Sequence, residues 1–282
     1  MRGVILIGVI LIALFAFQFY FRVLEFAGSK TKSSESAVWK SILVPSLKKP
    51  RSFQRTWMSQ CQQDRIVHFL NPQPGYFIDL ASNDPVWISN TFCLERFKHW
   101  TGICLEANSD YWYETLAIRS CVLVGGAVFE QQGEELQFSM NGWGGGIVSQ
   151  SMDNKPNTTS KPTVSGLASR DVLAPTGTLD NILLQVGAPR VIDYLSLDVE
   201  GAELECMKTL DLSRTRFKIM TIERPKPELR NLLISHGYVM THNLSWFGET
   251  LWLDKAHPKL HEIAGLSLDA LLDKVNKEVG SP

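Results

Sequence analysis

The chain has 282 residues, 44% of them hydrophobic and 20% charged, with 28 Lys/Arg against 29 Asp/Glu. That length makes one large domain or two small ones, and the composition excludes a disordered protein, a collagen-like repeat and a small disulfide scaffold. A net charge of −1 gives no whole-chain field that would draw in nucleic acid, and no stretch interleaves basic with aromatic residues, so no nucleic-acid partner is expected.

The charge is unevenly placed: the first 60 residues hold nine Lys/Arg and two Asp/Glu, ahead of an acidic body. Residues 3–21 read GVILIGVILIALFAFQFYF, with Gln18 the one strongly polar position. At about 1.5 Å per residue such a run spans roughly 28 Å as a helix, close to the hydrocarbon thickness of a bilayer. Tyr20 and Arg22 stand at its far edge as interfacial anchors would. This predicts an uncleaved transmembrane anchor over residues 1–28 in preference to a signal peptide, for which Ala27-Gly28-Ser29 is the tolerable cleavage site. A basic Ser/Lys/Pro-rich stem is expected over residues 29–60, then the main domain over 61–255 and a C-terminal helical tail over 256–282. The flanking charges favour a cytosolic body, whereas two glycosylation sequons, at Asn157 and Asn243, favour a lumenal one. The expectation is a single-pass endomembrane (ER/Golgi) protein with its body in the lumen. The oligomeric state is not legible.

From residue 75 onward strands and helices alternate. GYFIDLAS (75–82) reads as a strand, 88–100 as a helix, TGICLEA (101–107) as a strand, and 109–120 as a helix capped by Asn108 or Ser109. CVLVGGAVF (121–129) reads as a strand, followed by an irregular region over 130–177. TLDNILLQVG (178–187) is a helix ended by Gly187, VIDYLSLDV (191–199) a strand, and GAELECMKTLDL (201–212) a helix with Leu204, Met207 and Leu210 inward. FKIMTIE (217–223) is a strand and 226–237 a helix closed by Gly237; 238–243 and 249–254 are closing strands, and 266–279 is an amphipathic helix that packs on the body. Near-continuous apolar strands separated by helices predict a parallel sheet covered on both faces. The five cysteines show no C-x-x-C spacing and read as free buried thiols.

In open sheets of this kind ligands sit beyond the carboxyl ends of the strands. Those ends carry a consistent set of groups: Asp79, Ala81, Ser82, Asn83 and Asp84 after the first strand, Glu106 and Ala107 after the second, Ala127 after the third, Asp198, Glu200 and Gly201 after the fourth, and Glu223 after the fifth. A carboxylate ending the second strand is acceptor-only, which suits the two donors of a ribose diol. His242, at the end of a closing strand, is a further candidate general base. No His/Cys cluster points to zinc, and no metal ligand set is assigned. Asn141-Gly142-Trp143-Gly144-Gly145-Gly146 reads either as an acceptor-side lid with Trp143 stacking on a substrate or as a mobile surface loop.

The runs YFIDLASND, SNT, LER, TGICLEAN, DYLSLDVEGAELECMK and TIER, in this order and spacing, resemble the FkbM family of S-adenosylmethionine-dependent methyltransferases. The resemblance covers residues 70–253 and implies a Rossmann-like α/β fold on a mostly parallel seven-stranded sheet. It further implies S-adenosylmethionine as cofactor and O-methylation of a hydroxyl on a sugar, glycan or other small-molecule acceptor. By resemblance Asp79 to Asp84 line the cofactor loop, Glu106 binds ribose, and Asp198 and Glu200 lie near the point of methyl transfer. One departure stands out: the family's D-x-G-x-x-x-G loop here has Ala81 and Pro85 in place of its glycines. Two other readings fit the layout: a Golgi-type glycosyltransferase using Asp198-Val199-Glu200 as a D-x-D metal motif, and a catalytically weak membrane-anchored binding module.

Overall fold

The computed structural model describes residues 20–27, 38–45, 57–155 and 171–280, the first two stretches as backbone alone. The central sheet is built from β1 (Tyr20–Ala27), β2 (Val38–Pro45), β3 (Tyr76–Leu80), β4 (Thr101–Glu106), β5 (Val122–Gly125), β10 (Val191–Leu197), β11 (Arg216–Glu223), β12 (Tyr238–Asn243) and β13 (Glu249–Asp254). Its strand order is β12-β13-β11-β10-β3-β4-β5-β1-β2. The five neighbours from β11 to β5 are parallel, and β13 runs antiparallel between β11 and β12. The sheet is thus mixed, and among the described residues it has nine strands where seven were expected: β1 adds in parallel beside β5, and β2 pairs antiparallel with β1.

These two extra strands come from sequence assigned above to the anchor and stem. Tyr20, read as an interfacial residue, begins β1, and Val38–Pro45 of the expected stem is β2. Residues 3–19 lie outside the described residues. Among the described residues no helix is long and apolar enough to cross a membrane.

Alternating side chains send each strand into two cores, as the period of two requires. Ile78, Leu80, Ile103, Leu105, Leu195 and Leu197 face one side. There they meet Leu179, Ile182 and Leu183 of α4 (Leu179–Val186), Met207 of α5 (Glu203–Lys208), and Leu229 and Leu233 of α6 (Pro227–Ser235). Phe77, Cys104, Leu123, Tyr194 and Leu251 face the other side. That side is covered by α1 (Gln63–Leu70), α2 (Phe92–Lys98), α3 (Trp112–Ile118), α7 (Leu260–Ile263) and α8 (Leu268–Val279). Fully burying one such side chain stabilises the fold by roughly 1.5–3 kcal/mol. The C-terminal helix does pack on the body, with Leu271 and Val275 buried against α1.

Three expectations change. The predicted strand over 121–129 breaks at Gly126, whose φ of 138° only glycine adopts readily, and resumes as β6 (Ala127–Val128). The irregular region supplies β7 (Glu135–Ser139), β8 (Gly146–Ile147) and β9 (Asp171–Gly177), which join β6 in a second sheet of order β6-β9-β7-β8. The free-thiol reading fails for two cysteines. β4 and β5 pair with Ile103 opposite Val122, which brings Cys104 and Cys121 to a Cα separation of 6.0 Å, and they form a disulfide. Cys61, Cys93 and Cys206 are free thiols.

Candidate active site

The order of the parallel strands reverses between β3 and β10, since the chain runs outward from β3 through β4 to β5 and then returns to β10. A cleft opens at this switch point, beyond the carboxyl ends of the strands. Of the residues expected there, Asp79, Ala81, Ser82, Asn83, Glu106, Ala107, Ala127 and Asp198 all line it.

The loop after β3 is tightly folded. The amides of Ala81 and Ser82 both donate to the Leu105 carbonyl, at 2.9 and 3.1 Å. Ala81 has φ 64° and Asn83 φ 53°. Asparagine tolerates this left-handed geometry, whereas alanine is strained in it, so the chain keeps the backbone path of a glycine loop without the glycine. Asp84 does not line the cleft: its Oδ1 accepts from the amides of Val86 (2.9 Å) and Trp87 (2.8 Å) and so holds its own turn.

Glu106 is buried and does two jobs. Its Oε2 accepts from the Asn83 amide at 2.7 Å and its Oε1 from the Asn108 amide at 2.6 Å, tying the loops after β3 and β4 together. Each oxygen keeps a second lone pair, and burial pushes the carboxyl up to about 7. Asp79 is also held from behind. Thr91 Oγ1 donates to Asp79 Oδ2 and accepts from Arg119 Nη2 at 2.7 Å. Arg119 is itself buried, with Nε 2.9 Å from Glu95 Oε2. Burial raises the Asp79 carboxyl, and the Arg119 charge opposes that rise.

Several cleft residues were not singled out from the sequence. Asn90 lies within the quoted SNT run and donates from Nδ2 to Ser196 Oγ at 2.9 Å. Phe138 and Ile147 of the second sheet form part of the wall, with Leu105 and Val128. Of the glycine-rich segment that the sequence did single out, Gly142, Trp143, Gly145 and Gly146 reach the cleft, and Asn83 Nδ2 donates to the Trp143 carbonyl at 3.4 Å. The glycine-rich segment is therefore part of the cleft, with the Trp143 side chain 66% exposed beside it.

Residues 58–240 match the family model of the methyltransferase FkbM domain. The chain belongs to this family. Searches among curated proteins and among solved structures find no match.

In this FkbM domain the match begins just before Ser59, whose hydroxyl donates to Asp64 Oδ1 at 2.5 Å, so the residues ahead of α1 are built into the domain. On the side of the cleft away from Glu106, oxygens of Asp198, Glu200 and Glu223 lie within 4.8 Å of one another. Arg224 Nη2 reaches Glu223 (2.5 Å), Glu200 (2.9 Å) and Asp153 (3.0 Å), supplying the counter-charge from within the chain. Glu200 and Arg224 both adopt left-handed backbone, at φ 55° and 43°. Burial and the neighbouring Glu223 push the Asp198 carboxyl well above the ordinary aspartate range. The structure does not bring His242 into this group. A register shift between Met240 and His242 turns the ring to the other side of β12, where Nε2 lies 3.1 Å from the Leu266 carbonyl.

Proposed function

We propose that the protein is an S-adenosylmethionine-dependent O-methyltransferase acting on a hydroxylated small-molecule or glycan acceptor. The observation that carries this reading is a set of unsatisfied buried atoms. Ser82 Oγ, Asn90 Oδ1 and Asp198 Oδ1 are buried without a hydrogen-bond partner, and all three residues line the same cleft. Leaving such groups unpaired costs about 1–3 kcal/mol each, so three together mark a place for a polar ligand. An ammonium group and ribose hydroxyls are donors that this set would satisfy. The free lone pairs of Glu106 suit a ribose diol, and Leu105, Val128, Phe138 and Ile147 suit a flat aromatic ring such as adenine. The residues therefore fit the cofactor.

When bound, S-adenosylmethionine supplies an electrophilic methyl group on a sulfonium. The protein's part is to hold the acceptor oxygen in line with that methyl and to take the hydroxyl proton. Asp198 is the one carboxylate of the acid cluster that lines the cleft, and it is the base in this reading. Its raised pKa makes its ionised form a stronger base. Glu200 and Glu223, held by Arg224, orient the acceptor. Trp143 offers an apolar face at the cleft edge.

The test is thermal shift with S-adenosylhomocysteine against uridine diphosphate plus manganese. Stabilisation by the first alone supports the methyltransferase. Stabilisation by the second alone would replace it with a metal-dependent nucleotide-sugar reading at Asp198-Val199-Glu200.

A further inference from the structure

We infer that this protein matures in an oxidising compartment, where Cys104 and Cys121 join and Asn243 receives an N-linked glycan. The inference stands apart from the methyltransferase reading.

The first observation is the disulfide. Cys104, in the middle of β4, and Cys121, immediately before β5, are 0% and 5% exposed. The bond closes the segment that carries Glu106, Ala107 and Asn108, three residues of the cleft. A buried bond between neighbouring strands is a structural element, and bonds of this kind persist where thiols are not kept reduced. Its formation removes two electrons and two protons from the thiols, and these pass to a protein disulfide acting as oxidant, which becomes a dithiol.

The second observation is independent of the first. Asn243 ends β12, the outermost strand of the sheet, and its side chain is exposed. It heads the sequon Asn243-Leu244-Ser245. Leu244 is buried, Ser245 Oγ accepts from the amides of Gly248 (3.1 Å) and Glu249 (2.9 Å), and Asn243 Oδ1 accepts from the Ser245 amide at 3.5 Å, so the turn keeps its form while the Asn243 side chain stays exposed. Trp246 in the same turn is 95% exposed, an unusual position for an indole, and it offers an apolar face to a first sugar ring. A glycan here also blunts the free edge of β12. In the modification the Asn243 amide nitrogen bonds to the anomeric carbon of a lipid-linked oligosaccharide. The bond from that carbon to the lipid diphosphate breaks, the amide loses a proton, and the lipid diphosphate leaves. Asn157, the other sequon, lies outside the described residues.

The experiment translates the whole chain in the presence of ER-derived microsomes and makes two readings. Maleimide–polyethylene glycol labelling in denaturant should find three reactive thiols before reduction and five after it; Cys104→Ser should label at four positions either way. In an Asn157→Gln background, glycosidase should shift the band by one glycan. Adding Asn243→Gln should abolish that shift, and adding Ser245→Thr, which keeps the sequon, should preserve it. Five reactive thiols without reduction would overturn the oxidising compartment. The absence of a glycosidase shift in the Asn157→Gln protein would overturn the Asn243 glycan.

Discussion

Replacing Arg119 with methionine removes the hub behind the first cofactor loop. Its guanidinium is buried and serves four acceptors: Glu95 Oε2 at 2.9 Å, Thr91 Oγ1 at 2.7 Å, and the Pro85 carbonyl and Ser89 Oγ at 3.3 Å each. Methionine fills much of the volume beside Phe77 and Phe92 but leaves Glu95 buried without its counter-charge. Breaking a buried pair by removing one partner costs roughly 3–5 kcal/mol. Arg119→Lys restores the charge but cannot reach all four acceptors from one ammonium, and should cost about 2 kcal/mol. Pairing Arg119→Met with Glu95→Leu removes the orphaned charge, so the double variant should be more stable than Arg119→Met alone. Urea unfolding followed by tryptophan fluorescence reads these three and the Glu95→Leu single variant. If Arg119→Met costs less than about 1 kcal/mol, or the double variant shows simple additivity, the hub is not organised as described.

Other expectations follow from single features. Ala81→Gly should stabilise by about 0.5–1 kcal/mol, because relief of the left-handed alanine outweighs the extra entropy of a glycine in the unfolded chain; a loss of stability in urea unfolding would mean the loop is not strained. Burial raises Glu106, Glu203 and Glu249 to about 7. Between the ordinary 4.5 and about 7 the folded state thus holds protons that the unfolded chain has released. Stability should fall as pH rises through that window, and thermal melting should show Glu106→Gln flattening the slope. Asn90→Ala should weaken S-adenosylhomocysteine binding roughly tenfold, the scale of one hydrogen bond to a charged group. If Asn90 Oδ1 meets the amino-acid part of the cofactor, methylthioadenosine, which lacks that part, should be unaffected in competition binding; equal losses for both would place Asn90 elsewhere in the cleft.

Much of the fold was legible because strands such as YFIDL and VIDYLSL are short apolar runs that end in acidic or small residues. That pattern located the strand ends, and with them Asp79, Glu106 and Asp198 in one cleft. The second sheet was hidden. ELQFS buries only Phe138 and Ser139, DVLAPTG carries a proline, and β8 is two residues long, so none shows a buried-strand pattern. The disulfide depends on the register of β4 against β5, which no cysteine spacing reveals. His242 looked available because it lies at the end of a strand, but the irregularity after Met240 re-aims it. Arg119 gave no signal at all: a lone arginine after a helix reads as surface, and only the packing of Glu95, Thr91 and Pro85 around it makes it central.

Calorimetric titration of the protein with S-adenosylhomocysteine tests the central claim most directly. The account predicts one site per chain, tighter than millimolar, and a Glu106→Ala variant that binds about ten- to a hundredfold more weakly, equivalent to roughly 1.5–3 kcal/mol for acceptors lost from a charged group. No binding heat from the unaltered protein, or the same affinity in the variant, would contradict it.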